Sequence, residues 1–238
     1  MTQRMQHWAA ALADAWGVDA ALEPLGGEFD LNFRATARDG RRYVFKVMRA
    51  GCDEGFVDLL VAAHAHIESR DPSIPVPRIV STRDGARWCT RPDTDGHARI
   101  LWLLTGLEGI DYARYRPHSL TLIAALGAQL ARLDRALADF AHPRLARELK
   151  WDLRAADWIS AHLLEIADPG RRAIIAHVVG RYAALKPAIL AEPAVAIHND
   201  LNDYNVLVAR DGRGARITGL VDFGDITLGP VVAEIAIA

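Results

Sequence analysis

Cysteine is nearly absent: Cys52 and Cys89 are the only two in 238 residues. Two thiols cannot form a disulfide framework, and the count suits a reducing cytoplasm. There is no excess of basic charge either. Lys plus Arg number 28 against 30 Asp plus Glu, a net charge of -2, so the basic stripe of a dedicated nucleic-acid binder is missing. No apolar run approaches the ~20 residues of a membrane span, and Met1 to Gln6 lack a basic-then-apolar signal pattern. These absences exclude nucleic-acid and membrane partners. No G-x-x-x-x-G-K-[ST] occurs, which excludes a P-loop. Lysine is the scarcest cation: Lys46, Lys150 and Lys186 stand among 25 arginines.

What remains is an ordinary globular composition, 51% hydrophobic and 24% charged. The pattern predicts a helix over 1–17, with Met5, Trp8, Leu12 and Trp16 at helical spacing. A hairpin turning at Asp39-Gly40 links strands near 31–37 and 42–48, and a helix follows over 54–69. Strands are expected at 78–82, 86–91 and 98–104, the first two joined through Asp84-Gly85. After Gly109 the texture becomes helical. Pro117 reads as the first helical position of a helix running to about 138, with further helices at 151–166 and 170–190, the latter closed near Pro187 and Pro193. Short strands are expected at 194–198, 205–209 and 215–221, then an apolar helix after Gly229-Pro230. The chain thus divides into a β-rich lobe at 1–105 and a mainly helical lobe with a small β insert at 106–238.

The strongest local signal is His198-Asn199-Asp200-Leu201-Asn202-Asp203-Tyr204-Asn205, a polar loop between two β segments. In H-x-D-x-x-x-x-N the Asp accepts a proton from an attacking hydroxyl, the Asn gives an oxygen to a metal, and His198 braces the loop. The plainer alternative is a turn built on Asx hydrogen bonds. Asp222-Phe223-Gly224 ends an apolar strand 22 residues after Asp200; an Asp there can hold magnesium between nucleotide phosphates, and Gly224 permits a sharp turn. Lys46 lies mid-strand, where a compact ammonium suits a phosphate better than a guanidinium, or simply guards a sheet edge. Gly26-Gly27 reads either as a turn whose N–H groups cover phosphates or as a plain hairpin. Histidines other than His198 lack a paired metal spacing, which argues against zinc.

In this order, Lys46, a connector, a helical lobe, His198-x-Asp200-x4-Asn205 and Asp222-Phe223-Gly224-Asp225, the chain resembles the aminoglycoside phosphotransferase and choline kinase superfamily. It is most similar to the hydroxylysine kinase-like branch, through Gly27-Glu28-Phe29-Asp30-Leu31-Asn32-Phe33, through Phe140-Ala141-His142-Pro143 leading to Lys150-Trp151-Asp152-Leu153, and through 198–208. The resemblance implies an α+β, bilobal protein kinase-like fold, with an antiparallel-sheet N-lobe and a helical C-lobe. It implies Asp200 as catalytic base, Asn205 and Asp222 as Mg2+ ligands, and Lys46 on the phosphates of ATP or GTP. Leu103 to Leu107, with Leu104 and Gly106, stand as the hinge at the purine edge, and Asp58 or Glu54 as the acid paired with Lys46. The acceptor implied is a small hydroxyl compound, an amino alcohol or hydroxy-amino acid, its amine met by Asp203, Asp225 or Asp152. An aminoglycoside-type antibiotic phosphotransferase and a non-catalytic kinase-like fragment of a longer protein are the rivals. Glu234 stands where relatives carry Asp, and relatives continue with further helices. The apolar 229–238 therefore leads us to expect more chain beyond Ala238, extending to a fused downstream enzyme domain.

Overall fold

The computed structural model describes residues 3–27, 29–212 and 214–238. Helix α1 (Gln3–Trp16) leads into strands β1 (Ala20–Leu25), β2 (Leu31–Ala37) and β3 (Arg42–Val47), then helix α2 (Glu54–Arg70). Strands β4 (Ile79–Val80), β5 (Cys89–Pro92) and β6 (Ala98–Thr105) complete an antiparallel sheet of order β1-β2-β3-β6-β4, with β5 also on β6. Alternation along these strands sends side chains to two separate cores. Phe33, Phe45, Val47, Leu101 and Leu103 meet α1, whose Trp8, Leu12 and Trp16 recur at one face. Trp102, Leu104 and Ile100 pack instead with the buried side of α2, Val57, Leu60 and Ile67.

Trp8 is wholly buried and its indole N–H has no partner. Trp8→Ala should therefore cost about 3–5 kcal/mol, read as a lowered urea midpoint, whereas Trp8→Phe should cost clearly less because no hydrogen bond is lost. Equal losses from the two substitutions would contradict this account of the α1 core.

Beyond the sheet come β7 (Ile110–Asp111), helix α3 (Leu120–Leu137), a 3-10 stretch (Leu153–Glu165) and helix α4 (Pro169–Ala191). Strands β8 (Ala194–Ile197), β9 (Val206–Asp211), β10 (Gly214–Leu220) and β11 (Thr227–Pro230) precede a short helix α5 (Val231–Ile237). Order β10-β9-β7 forms one small sheet and β11-β8 another. The α+β bilobal expectation holds, with local corrections. Ser119, not Pro117, starts α3: its hydroxyl accepts the Leu122 N–H, and Pro117 lies outside the helix after a cis peptide bond. Segment 153–165 winds as 3-10 helix, capped by Asp152. Pro187 sits inside α4 rather than ending it. Strands β4 and β5 do not pair with each other; the turn at Gly85 forms, but both strands pair with β6.

Helix α4 also departs from the expectation of no membrane-length segment: it is long and apolar enough to cross a membrane by length and composition. Its midpoint carries Arg181 and its last turns Lys186, paired with Asp157. An arginine at mid-bilayer costs about 3 kcal/mol, so nothing beyond length and apolarity favours a span.

Candidate active site

The loop between β8 and β9 is pinned from behind. His198 is fully buried; its Nε2–H donates to the Val221 carbonyl at 3.0 Å, and its Nδ1 accepts the Asp200 N–H at 3.3 Å. Burial lowers its pKa, and the two hydrogen bonds put the proton on Nε2. The histidine therefore braces the loop, as expected, and ties it to the strand end that carries Asp222. Asn205 N–H groups donate to the Asp200 carbonyl at 2.7 Å and to Asp200 Oδ2 at 2.8 Å, while Asn202 donates to Oδ1 at 2.8 Å. The carboxylate is thus oriented by two amides, and each oxygen keeps a second lone pair. With the nitrogen spent on Asp200, the Asn205 side-chain oxygen has no hydrogen-bond partner among the described residues.

Across the cleft, Lys46 of β3 stands opposite Asn32 and Trp102 in the sheet. Its ammonium lies 3.4 Å from Asp222 Oδ1 and 5.6 Å from the Trp102 ring. The charge of Lys46 holds the Asp222 carboxyl below the usual carboxylate range. Among the described residues, Asn199 (φ 65°) and Asp222 (φ 64°) are the non-glycines with left-handed backbone, and both flank the cleft. Such positions persist where surrounding structure over-determines them. Phe223 is sandwiched between His198 (4.4 Å) and His64 of α2 (4.7 Å), and burial lowers His64 to a pKa of about 4.

Three expected placements need correction. Asp58 does not meet Lys46: its carboxylate pairs with His142 Nε2 at 3.1 Å on the outer side of α2. The inward positions are Val57, Leu60 and His64, and Asp58 lies a 100° step away from Val57 around the helix. Glu54, the other candidate, is exposed at the start of α2. At the expected hinge the Gly106 N–H is not a free donor to a purine. Leu104 is enclosed between Val44 and Ile79, and the Gly106 N–H donates to the Arg42 carbonyl at 2.7 Å. Gly106 is needed there sterically, since a Cβ would lie 2.8 Å from the Arg42 backbone. Asp152 is occupied by the Arg154 guanidinium and N–H, not open to an acceptor amine. Asp203 is exposed and Asp225 half-buried.

Gly26 and Gly27 follow Leu25, which pairs with Asn32, so their loop lies at the Lys46 end of the sheet. Asn32 donates to the Gly26 carbonyl at 3.1 Å, and a Cβ on Gly27 would sit 2.5 Å from the Asn32 amide. Glu28, in the same segment, lies outside the described residues. Asp93, Asp95 and His97 bring ligating atoms within 4.8 Å of one another, but Asp93 is already spent on the Asp95 and His97 N–H groups and on Arg99. That cluster is a clamped turn.

Glu234 of α5 is fully buried and accepts the Asn199 N–H with one oxygen. Burial pushes its carboxyl up to about 7 from 4.5, opposed by the Asn199 hydrogen bond and reinforced by the charges of Asp134 and Asp200. The folded protein thus retains a proton that the unfolded chain releases. Stability falls as pH rises through this interval, by about 3 kcal/mol over the whole of it. Asp134, raised to about 6 by burial, acts with the same sign. Glu234→Gln keeps the acceptor oxygen and removes the charge, so its stability gain over wild type should grow from near pH 5 to near pH 8. A constant difference in urea midpoint across that range would refute the assignment.

Comparison with known proteins agrees with this geometry. Residues 21–238 match the Phosphotransferase enzyme family, APH. Hydroxylysine kinase of Mus musculus is 25% identical over 236 residues, an overlap of 91% of this chain and 62% of that protein; this chain spans less than two thirds of that relative's length. Two solved structures share the kinase-like fold. A complex of the amicoumacin kinase hAmiN with AMP-PNP, Ca2+ and Ami has a TM-score of 0.69 at 16% identity, covering 98% of this chain and 67% of that one. A microcompartment-associated aminopropanol kinase has a TM-score of 0.61 at 19% identity, covering 98% and 73%. With the family match extending over all but the first twenty residues, the chain belongs to the phosphotransferase enzyme family.

Proposed function

We propose that this chain is the nucleotide-binding and catalytic part of a small-molecule kinase, with a nucleotide-binding lobe at 1–105 and a catalytic lobe at 106–238. It transfers the γ-phosphoryl group of a magnesium–nucleoside triphosphate to the hydroxyl of an amino alcohol or hydroxy-amino acid. The observation that carries this reading is the convergence of an amide-oriented Asp200, Asn205 and a left-handed Asp222 opposite Lys46. The names of the hydroxylysine kinase relative and the aminopropanol kinase support the acceptor class.

Asp200 takes the hydroxyl proton as the acceptor oxygen bonds to the γ-phosphorus and the bond to the bridging oxygen breaks, releasing nucleoside diphosphate. Lys46 supplies a point positive charge to the phosphates. The donor set fits a hard cation: the free side-chain oxygen of Asn205 and the Asp222 carboxylate would hold magnesium. When bound, the metal neutralises phosphate charge. Asn202 and Asn205 keep the base aimed, and most of the rate advantage comes from such positioning.

A panel of amino alcohols, hydroxy-amino acids and aminoglycosides, assayed with ATP and with GTP for diphosphate release, tests the proposal. Turnover with an amino alcohol or hydroxy-amino acid is expected. Turnover confined to aminoglycosides would replace the acceptor assignment, and metal-dependent nucleotide binding without any turnover would favour the non-catalytic alternative.

A further inference from the structure

Helix α2 gives Lys46 no acid, so something else must hold that helix in register with the metal end of the cleft. The segment 140–147, between α3 and the 3-10 stretch, touches both. Toward α2, His142 meets Asp58 at 3.1 Å, Arg144 meets Asp53 at 2.8 Å, and Phe140 lies 5.1 Å from the His66 ring. Toward the other side, the Leu145 carbonyl accepts the Thr227 hydroxyl at 3.2 Å. Arg147 joins the two directly. Its Nη2 donates to the Gly224 carbonyl at 2.5 Å and the Ile226 carbonyl at 3.1 Å, and its guanidinium lies 4.9 Å from the ring centroid of Phe56 in the first turn of α2. Gly224 and Ile226 are two and four residues beyond Asp222, whose backbone is left-handed and has no side-chain cap. A charged nitrogen donating to two carbonyls two residues apart is a strong, directional restraint on such a turn, and contact with an aromatic face holds the guanidinium in place.

We propose that Arg147 is a positioning residue: it fastens the segment after Asp222 to the start of α2 and thereby sets the metal–nucleotide end of the cleft. This rests on the kinase reading above. Partners bonded directly to a metal ligand typically change metal affinity or activity by about 10–100-fold when removed. Arg147 acts one step further out, through carbonyls two and four residues beyond Asp222, so the lower end of that range applies. A residue that served packing alone would weaken all ligands together or only lower stability.

The test uses the full 238-residue chain, comparing wild type, Arg147→Met and Arg147→Lys. Binding of ATP is titrated with and without magnesium chloride, and the KM of the acceptor found by the panel is measured. Arg147→Met should lower magnesium–ATP affinity by about 10-fold, with metal-free ATP binding and acceptor KM within about twofold of wild type; Arg147→Lys, with one compact donor group, should fall between. Equal magnesium dependence in wild type and a folded Arg147→Met variant overturns the role of Arg147 and leaves the kinase reading standing. A uniform loss across all three measurements also overturns it. If the Met variant does not fold, the Lys variant decides by the same criteria. A wild type with no metal-dependent nucleotide binding would instead remove the kinase reading, and this inference with it.

Discussion

Asp200→Asn should reduce turnover by about 10²–10⁴-fold while nucleotide binding stays within about twofold of wild type. The substitution keeps the size of the side chain but replaces one carboxylate oxygen with an NH2 group. Asn205 and Asn202 each donate to Asp200, at 2.8 Å, so one of these contacts becomes donor against donor. The new amide can turn its NH2 toward Asn202 and keep its oxygen on the Asn205 NH2, so the base is lost while Asn205, Lys46 and Asp222 keep their places. Separate titration of nucleotide and steady-state rates will read the two effects independently. Turnover equal to wild type would remove Asp200 from the mechanism and with it the reading of the whole loop.

Asp222→Ala should act on both quantities: metal-dependent nucleotide binding is lost and turnover falls by roughly 10²–10³-fold, the scale seen when one charge-stabilising group is deleted. The residue combines a ligand carboxylate with the partner of Lys46. Its side chain is 55% exposed and that of Lys46 18%, so loss of the pair itself should alter thermal stability only modestly. A variant that needs as much magnesium as wild type and binds nucleotide as well would show that Asp222 is not a ligand. The contrast with Asp200→Asn matters more than either number, because only the Asp222 change should move the metal titration.

Features whose physics is local were readable from the sequence. The His198–Asn205 loop closes on itself through partners two and five residues apart, so its spacing pointed to a folded-back polar loop. The Asx bond of the plainer alternative is present in it too, from the Tyr204 N–H to Asn202 Oδ1. Alternation in 31–37 and 42–48 predicted the strands and put Lys46 mid-strand, but did not say which face it takes; pairing of β3 with both β2 and β6 removes the edge-strand alternative. The partner of Lys46 was not readable, because it depends on the rotational phase of α2, where a single position separates inward Val57 from outward Asp58. The resemblance likewise pointed to 103–107 as a hinge, but sequence did not show that the Gly106 N–H is consumed by the Arg42 carbonyl, a contact between segments far apart in the chain. Arg147 lay inside a run already noticed for its resemblance, yet its acceptors are backbone carbonyls 77 and 79 residues away, which leave no side-chain signature. Helix α4 escaped the search for apolar runs because Arg181, Lys186 and Pro187 interrupt it.

The Lys46–Asp222 contact makes nucleotide entry an exchange of anions rather than a simple addition of one. A phosphate reaching Lys46 competes with a carboxylate 3.4 Å away, and that carboxylate must find a cation of its own. Dissolved salt screens both the pair that is given up and the contact that replaces it, over a range of about 10 Å at 0.1 M. The two effects oppose each other, so affinity for the nucleotide should vary with ionic strength less steeply than the charge on a triphosphate alone suggests. Divalent ions, which supply the carboxylate with its new partner, should matter far more than sodium chloride at equal ionic strength.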